Sequence, residues 1–419
     1  MAEERIVYVY KDWDTSSPEK IGKLCVKEGK GKETISFEYD EAWLENVDRS
    51  LLFDPDLMLY KGRQYAPMDK TLFGIFADSC PDRWGRLLMK RREAINAKRE
   101  DRKPKHLTDI DFLLGVYDET RMGGLRFAEV EGGPFLSDDK ELATPPWVTL
   151  RKLESASLAF EKNEDGMEEK WLKQLLAPGS SLGGARPKAS VSAPDGSLWI
   201  AKFPSKHDDI DVGAWEMVTH DLAALCGLDV PEAKLEHFSK TGSTFLTKRF
   251  DRNGTQRIHF ASAMTLLGKN DGASAADGSS YLDIVSFIRQ YGAVPKKNLH
   301  ELWNRIVFSI AVSNTDDHLR NHGFVLTNEG WCLSPLYDVN PNADGDVLAL
   351  NIDEYSNLID FELALSVASK FGITERQAKI QLDNIKAVVE SNWRTLAKKY
   401  GLGRGETERM TPAFDMRYK

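Results

Sequence analysis

Alternating apolar and polar residues mark the first part of the chain. Residues 6–10, 24–26 and 35–39 carry apolar side chains in alternation or in short runs, which is typical of half-buried strands. Residues 81–116 instead have a helical pattern. The sequence therefore predicts a small β-rich domain with helices near its end. The turn-forming residues Glu131-Gly132-Gly133-Pro134 bound it.

The middle of the chain predicts two helices and then a pair of strands. The helices span residues 149–160 and 167–176. The strands span 189–193 and 198–203, and Pro194-Asp195-Gly196 supplies the turn between them. A glycine-rich segment separates the helices from the strands, and if it binds phosphates this region is a nucleotide-binding lobe.

The last part of the chain is predicted to be mostly helical. Five apolar residues recur at positions i, i+3, i+4, i+7 and i+8 of one helix face: Trp303, Ile306, Val307, Ile310 and Ala311. Residues 324–326 and 331–333 predict a hairpin, and a capping box at Thr374 and Gln377 begins a long amphipathic helix. Glycine and serine at 268–280 favour a mobile insert. These elements predict an α+β protein.

Chain length and composition limit the class of protein. The 419 residues suffice for several domains, which we place at 1–132, 133–255 and 256–419. No run of about eighteen apolar residues and no secretory signal occurs, so a cytoplasmic protein without a membrane segment is expected. Four scattered cysteines favour reduced thiols over a disulfide framework or zinc site. The net charge of −9 argues against nonspecific DNA binding by this chain alone.

One polar segment carries the strongest indication of chemistry. It runs Asn314-Thr315-Asp316-Asp317-His318-Leu319-Arg320-Asn321, and Asp338 follows after a predicted hairpin. Protein kinases place a catalytic carboxylate and two magnesium ligands by this spacing. Asp316 lies five residues before Asn321, as the pattern requires, and its competitor Asp317 does not. Asp316 is the predicted base, and Asn321 and Asp338 are the predicted Mg2+ ligands.

Other interpretations of this segment stay open from the residues alone. Asn314 to Asp317 also form a helix-end or turn sequence whose side chains cap backbone donors. His318 and His322 lie four residues apart, a spacing that can bind a metal on a helix and would suit a hydrolase. A nucleotide-binding regulator without transfer chemistry is a further alternative.

A kinase also needs a flexible phosphate loop and a lysine on a strand. The glycine-rich residues 179–188 permit backbone amides to approach an anion, although an ordinary loop has the same composition. Lys202 shares a strand face with Ile200, so it lies either over a ligand or at a solvated strand edge. Glu216, on a helix predicted to begin near Asp211, either pairs with Lys202 or lies on the surface.

Several motifs resemble those of the HipA family, the serine/threonine-kinase toxins of bacterial type II toxin–antitoxin modules. They are Ser181-Leu182-Gly183-Gly184-Ala185-Arg186-Pro187-Lys188, Thr247-Lys248-Arg249-Phe250-Asp251-Arg252, Asn314 through Asn321, and Pro335-Leu336-Tyr337-Asp338. Residues 77–86 and 123–127 resemble the small N-terminal domain of the family. The resemblance covers nearly the whole chain. It implies a two-lobed, protein-kinase-like fold with a small β-rich N-terminal domain and a mostly helical C-terminal lobe.

The resemblance also implies roles for individual residues, with ATP and Mg2+ as cofactors. Ser181 corresponds to the serine whose autophosphorylation silences the kinase, and the adjoining Ser180 stays an alternative. Lys202 would contact the phosphates, and Lys248 and Phe250 would lie at the adenine. The residues expected to contact the nucleotide are Ser181, Leu182, Gly183, Gly184, Ala185, Lys188, Lys202, Lys248, Phe250, His318 and Asn321.

The function implied by the resemblance is growth inhibition through phosphorylation of a cellular protein. Relatives phosphorylate an aminoacyl-tRNA synthetase, and the substrate of this chain is left open. The implied partner is a small helix-turn-helix antitoxin, similar to HipB, through which any DNA contact would mainly occur. The alternative is a non-catalytic nucleotide-binding regulator or co-repressor of the same fold.

Overall fold

A computed structural model describes residues 4–13, 17–29, 33–46, 52–136, 144–162, 175 and 184–419. The chain divides into two compact units, Met1–Ala201 with Arg249–Ala261, and Lys202–Lys248 with Ser262–Lys419. Both strands and helices are abundant, which confirms the predicted α+β class. The predicted helix at 167–176, apart from Leu175, lies outside the described residues. The three predicted domains stay a prediction.

The described strands are short, and most are joined to a neighbour by a turn. They are β1 Glu4–Lys11, β2 Glu19–Glu28, β3 Glu33–Tyr39, β4 Arg63–Tyr65, β5 Leu125–Ala128, β6 Lys188–Ser192, β7 Leu198–Lys202, β8 Ala233–Glu236, β9 Thr244–Lys248, β10 Arg252–Asn253, β11 Gln256–Arg257, β12 Phe260–Ser262, β13 Gly323–Thr327 and β14 Gly330–Leu333. The predicted strands at 6–10, 35–39, 189–193 and 198–203 are thereby confirmed within a residue or two at their ends, and the strand predicted at 24–26 is confirmed as the central part of the longer β2.

The two longest described helices lie in the C-terminal half of the chain. They are α1 Glu41–Asn46, α2 Gly74–Ala77, α3 Arg83–Arg99, α4 Asp109–Leu114, α5 Leu150–Glu161, α6 Val212–Leu225, α7 Ala263–Leu266, α8 Tyr281–Tyr291, α9 Pro295–Val312, α10 Phe361–Val367, α11 Glu375–Lys399 and α12 Arg404–Arg409. In the described part of the chain, none of these helices combines the length and apolar character that crossing a bilayer requires.

The first unit is built around an antiparallel sheet. Its strands lie in the order β4-β3-β2-β1-β5. Val7 pairs with Leu24, and Leu24 with Phe37, and all three side chains are fully buried. The alternation in the sequence therefore forms the core face of this sheet. Strands β6 and β7 are neighbours in a further sheet and are joined by the predicted turn at 194–196.

A buried ion cluster stabilises the chain around residues 249–252 in the same unit. The Asp251 carboxylate accepts hydrogen bonds from Arg249 Nε at 2.8 Å, Arg252 Nη1 at 2.7 Å and the Gly123 amide at 2.8 Å. Both guanidinium groups also donate to the carbonyl of Arg121. Because these partners come from distant parts of the sequence, the cluster fixes the 119–123 loop to residues 249–252.

The second unit has a helical core in which α9 is central. Trp303, Ile306, Val307 and Ile310 of this helix are fully buried, as the apolar periodicity predicts. Helix α11 packs on α6 and α9, and its start has the predicted capping box between Thr374 and Gln377. Helix α9 ends at Ser313, which has a left-handed backbone with φ of 50°. The polar segment 314–321 follows directly.

Candidate functional site

Lys202, at the end of β7, is buried between two carboxylates of the second unit. Its Nζ donates to Glu216 Oε1 at 2.5 Å and to Asp338 Oδ1 at 2.6 Å. Burial disfavours the charged ammonium, but the negative charges of Asp338 and Glu216 outweigh that cost, so the pKa of Lys202 is raised. The interpretations of Lys202 as a solvated edge residue and of Glu216 as a surface residue are therefore wrong.

Glu216 reaches Lys202 because of where its helix begins. The Asp211 side chain caps α6 by accepting from the Ala214 amide at 3.1 Å, which confirms the predicted start of the helix. Glu216 lies one turn further on, on a face that is buried throughout. An acid on a buried helix face is costly unless it is paired, and Lys202 provides the pairing.

Asp338 has an unusual backbone conformation. Its φ is 58°, in the left-handed region that costs a residue with a side chain about 1–2 kcal/mol. The chain just before it is held at two points: the Leu336 amide donates to Asp229 O at 2.7 Å, and the Tyr337 hydroxyl donates to Arg320 O at 2.8 Å. Sparsely populated backbone conformations of this kind concentrate at functional sites.

The polar segment 314–321 is folded back on itself and on the chain after Asp338. Asn321 Nδ2 donates to the Asp316 carbonyl at 2.7 Å, so the predicted base and the predicted metal ligand are brought together. Asn342 Nδ2 donates to Thr315 Oγ1 at 2.9 Å. A Cβ at Gly345 would lie 2.3 Å from Thr315 Cγ2, so this close approach requires glycine.

The neighbours Asp316 and Asp317 have opposite environments. The Asp316 side chain is 82% exposed, and His318 Nε2 lies 3.8 Å from its Oδ1. Asp317 is buried, accepts from the Ala349 amide at 3.1 Å, and has its pKa raised to about 7 by burial. Asp316 is therefore the carboxylate that a macromolecular substrate can reach, whereas Asp317 anchors the backbone at Ala349.

The donor set suits a hard cation such as Mg2+. Asn321 Oδ1 is buried and accepts no hydrogen bond from the described residues, and its amide nitrogen is fixed by Asp316, so the oxygen orientation is set. The Asp338 carboxylate supplies further oxygen. Within the described ranges, no cluster of three or more His, Cys, Asp or Glu side chains is arranged to hold a metal. His318 and His322 lie in an irregular segment, where a four-residue spacing does not place them on one helix face.

The remaining predicted nucleotide contacts of the first unit lie at the end of the glycine-rich segment and beyond. Gly184 and Ala185 are exposed. Lys188 is buried, and its Nζ donates to Asp82 Oδ2 at 2.7 Å and to Gly184 O at 2.9 Å. Phe250 packs near Phe260, with 6.0 Å between ring centroids. A nucleotide contact by any of these residues stays a prediction.

Of the other predicted nucleotide contacts, the structure describes Lys248 and leaves out the residues around Ser181. Lys248 ends β9 in the second unit, its amide donates to Glu232 O at 2.8 Å, and its Nζ lies 3.7 Å from Glu232 Oε2. Ser181, the alternative Ser180, Leu182 and Gly183 lie outside the described residues. Sequence reasoning missed Asn342, Gly345 and Ala349, although the turn-forming Asn340-Pro341-Asn342 two residues after Asp338 gave a signal.

Comparison with known sequences identifies relatives named as kinases. "Putative kinase Y4mE" of Sinorhizobium fredii is 26% identical over 247 residues, covering 53% of this chain and 51% of that protein. "Serine/threonine-protein kinase toxin HipA" of Shewanella oneidensis is 26% identical over 219 residues, covering 46% of this chain and 47% of the relative. The chain thus spans about half the length of the curated relatives it matches.

Structural and family comparisons extend the similarity. A chain of the Shewanella oneidensis MR-1 toxin–antitoxin complex of HipA, HipB and operator DNA superposes with a TM-score of 0.63 and 17% identity, covering 94% of each chain. This likeness confirms the predicted HipA-like fold. The sequence model of the HipA-like C-terminal domain matches residues 180–393, about half of the 419 residues. The chain therefore belongs to the HipA family.

Proposed function

We propose that this chain is an ATP- and magnesium-dependent serine/threonine protein kinase and the toxin of a type II toxin–antitoxin pair. One observation supports the proposal most: the Lys202 ammonium lies between Glu216 on a helix and Asp338 in a strained loop. Protein kinases use such a lysine–glutamate pair, next to a metal-binding aspartate, to order the phosphates of the nucleotide.

Asp316 would accept the proton of the substrate hydroxyl. Its exposure allows a protein substrate to approach, and the bond from Asn321 Nδ2 to its carbonyl fixes the backbone that carries it. General-base catalysis by a positioned carboxylate contributes about 10²–10⁴-fold to the rate. Asp317 is less suited to this role because its carboxylate is buried and bonded to the Ala349 amide.

Asn321 and Asp338 would hold Mg2+, and Lys202 would contact the phosphates. The bound cation neutralises charge on the transferring phosphoryl group. Phosphorylation of Ser181 would then place roughly −1.5 to −2 charges in the predicted phosphate loop, which is enough to oppose the binding of anionic ATP. This gives the family's self-inactivation a simple electrostatic basis.

The proposed partner is a helix-turn-helix antitoxin similar to HipB. The Shewanella complex contains HipA, HipB and operator DNA together. With a net charge of −9, this chain would contact DNA mainly through that antitoxin. The proposed location is the cytoplasm, and the proposed substrate is a cellular protein, with an aminoacyl-tRNA synthetase as one candidate.

The test is incubation of the purified chain with ATP and Mg2+, followed by mass spectrometry of the intact and digested protein. Phosphate on Ser181 is expected, and Asp338→Ala should remove it while the circular dichroism spectrum stays unchanged. Labelling of Ser180 or another residue would overturn the assignment of Ser181 alone. Nucleotide binding without phosphate transfer to the chain or to any protein would instead favour the non-catalytic regulator.

A further inference from the structure

The chain that follows Asp338 forms a short hairpin, residues 346–359. The Leu348 amide donates to Asn357 O at 2.7 Å, and the Ile359 amide donates to Asp346 O at 3.2 Å. These two bonds flank an antiparallel bridge between Val347 and Leu358. Residues paired in this way, without a hydrogen bond between them, bring their side chains especially close.

Val347 and Leu358 are cross-strand neighbours on one exposed face of the 346–359 hairpin, and Tyr355 is exposed at its turn. Val347 is 42% exposed, Leu358 is 54% exposed and Tyr355 at the turn is 90% exposed. The turn is fixed because Asp353 Oδ1 accepts from the amides of Tyr355 and Ser356 at 2.7 and 2.6 Å. Single exposed apolar residues are ordinary, but a fixed group of them next to a catalytic loop is typical of an interaction surface.

The opposite face is buried, so the hairpin is held in place. Leu348, Leu350, Ile352 and Ile359 belong to the core of the second unit. Backbone bonds join the Ala275 amide to Ala349 O at 2.8 Å and the Tyr281 amide to Asn351 O at 3.0 Å. A surface that is already ordered loses little conformational entropy when a partner binds.

The hairpin adjoins the proposed base through Asp317. The carboxylate of Asp317 accepts from the Ala349 amide at 3.1 Å, and Ala349 lies two residues from Val347. Because Asp317 directly follows Asp316, this one bond ties the exposed apolar surface to the segment that carries the catalytic carboxylate. A peptide lying on the hairpin would have its neighbouring residues close to that segment.

The charged residues of the hairpin and of the segments next to it in sequence are all acidic. Residues 338–360 contain six acidic residues and no Lys, Arg or His, namely Asp338, Asp344, Asp346, Asp353, Glu354 and Asp360. Asp344, Asp346 and Glu354 are exposed. Lys370 lies 3.8 Å from Glu354 in a pair that is more than half exposed, so solvent screens it and the local excess of negative charge remains.

We propose that the 346–359 hairpin is the docking surface for a cationic, apolar segment of the protein substrate, next to the serine or threonine that is phosphorylated. This inference rests on the proposed kinase function and names the substrate class. Val347, Leu358 and Tyr355 bind an apolar side chain of that segment. Asp344 and Asp346 bind its lysine or arginine, and Asp317 is a positioning residue for the surface.

The test uses two synthetic peptides with a central serine, and fluorescence anisotropy measures their binding to the full chain. One peptide carries leucine, lysine and arginine around the serine, and the other replaces each cation with glutamate. The cationic peptide should bind at least about tenfold more tightly, and Tyr355→Ala with Leu358→Ser should weaken its binding about tenfold. Ile380→Ser removes another exposed apolar residue and should have no effect.

A second arm tests the charge and separates docking from catalysis. Asp344→Asn with Asp346→Asn should weaken binding of the cationic peptide severalfold, whereas Glu390→Gln, at another exposed acid, should not. In phosphorylation assays the hairpin variants should raise KM for the peptide and leave KM for ATP unchanged.

Each contrary outcome points to a different failure. Equal binding of both peptides, or normal binding by the Tyr355 and Leu358 variant, overturns the docking inference even if the chain phosphorylates itself. Peptide binding without any phosphate transfer overturns the proposed kinase function instead. If the hairpin variants change only self-association in sedimentation, the surface is a contact between copies of this chain, and the inference is wrong.

Discussion

Two buried aspartates, one in each unit, have pKa values that are shifted in opposite directions. Burial alone would raise the pKa of Asp251, but the guanidinium groups of Arg249 and Arg252 outweigh burial and lower it. Asp317 has no cationic partner among the residues that the structure describes, and burial raises its pKa to about 7 despite the hydrogen bond from the Ala349 amide. One carboxylate is held charged, whereas the other is partly protonated near neutral pH.

The difference separates a structural cluster from the proposed functional site. The hydrogen bonds from the Gly123 amide to Asp251, and from Arg249 and Arg252 to the Arg121 carbonyl, join distant segments of the first unit, so the cluster is a clamp. Around Asp317, by contrast, Asp316 is exposed and Asn321 Oδ1 is unsatisfied by the described residues. Polar atoms without a protein partner are the ones available to substrate or cation.

The largest expected effect is at the exposed carboxylate. Asp316→Asn should lower the rate of autophosphorylation by about 10³-fold, because the amide cannot accept a proton. Since the Asp316 side chain is 82% exposed, the thermal midpoint should not change. Radiolabelled phosphate incorporation measures the effect, and Asp383→Asn, at an acid 59% exposed on α11, is the control. A rate near that of the wild type would remove Asp316 from the base role.

A substitution in the Asp251 cluster should lower the stability of the chain and should not act on the proposed reaction. Asp251→Asn leaves two buried guanidinium groups without a counter-charge and should cost about 3–5 kcal/mol of unfolding free energy, measured by denaturant titration. Glu41→Gln removes an acid from the exposed pair with Lys61 and should leave the unfolding curve unchanged. Equal behaviour of the two variants would contradict the structural role of the cluster.

The raised pKa of Asp317 gives a pH-dependent test. Between pH 3.8 and about 7 the folded chain holds a proton that the unfolded chain has lost, so this residue makes stability fall as pH rises through that window. Asp317→Asn removes this pH-dependent contribution to stability. As the pH rises through the window, the unfolding free energy of the variant should therefore increase relative to that of the wild type by on the order of 2–4 kcal/mol. Urea unfolding at several pH values measures the difference.

Other titrating groups contribute equally to the variant and to the wild type, so their effect cancels in the difference between the two unfolding free energies. Burial lowers the pKa of His322 to about 3, which makes stability rise with pH and so opposes Asp317. A constant difference between the two proteins from pH 4 to pH 7 would show that Asp317 is not the titrating group.

The smallest expected effect is at the N-terminal cap of α11, and the other losses of stability can be compared with it. Thr374→Ala removes the capping box of α11, far in sequence from both aspartates, and should cost about 1 kcal/mol of unfolding free energy. Thr374→Ser retains the hydroxyl and should cost less. If losing this cap matched the loss of Asp251, the ion cluster would contribute no more than an ordinary hydrogen bond.

Local patterns in the sequence predicted much of this structure. The apolar period of α9, the β13–β14 hairpin and the capping box of α11 depend on neighbours a few residues apart, and all are confirmed. The five-residue step from Asp316 to Asn321 is equally local, and the Asn321 side chain donates a hydrogen bond to the Asp316 carbonyl. The roles assigned to them stay predictions.

Contacts between distant segments could not be predicted from the sequence. Lys202 and Asp338 are 136 residues apart, and only packing of the second unit brings them together. The glycine- and serine-rich residues 268–280 favoured a mobile insert by composition. In the structure, a capping box at Ser274 and the bond from the Ala275 amide to Ala349 hold part of it, and composition carries no sign of that remote partner.

The left-handed backbone at Asp338 is tied to the ion pair that the same residue makes. Glycine adopts this conformation at no steric cost, so Asp338→Gly would relieve about 1–2 kcal/mol of strain. The same change would take one of two carboxylates away from the buried Lys202 ammonium, and removing one partner of a buried ion pair costs about 3–5 kcal/mol. Relaxing the backbone at this position would therefore leave the chain less stable, not more.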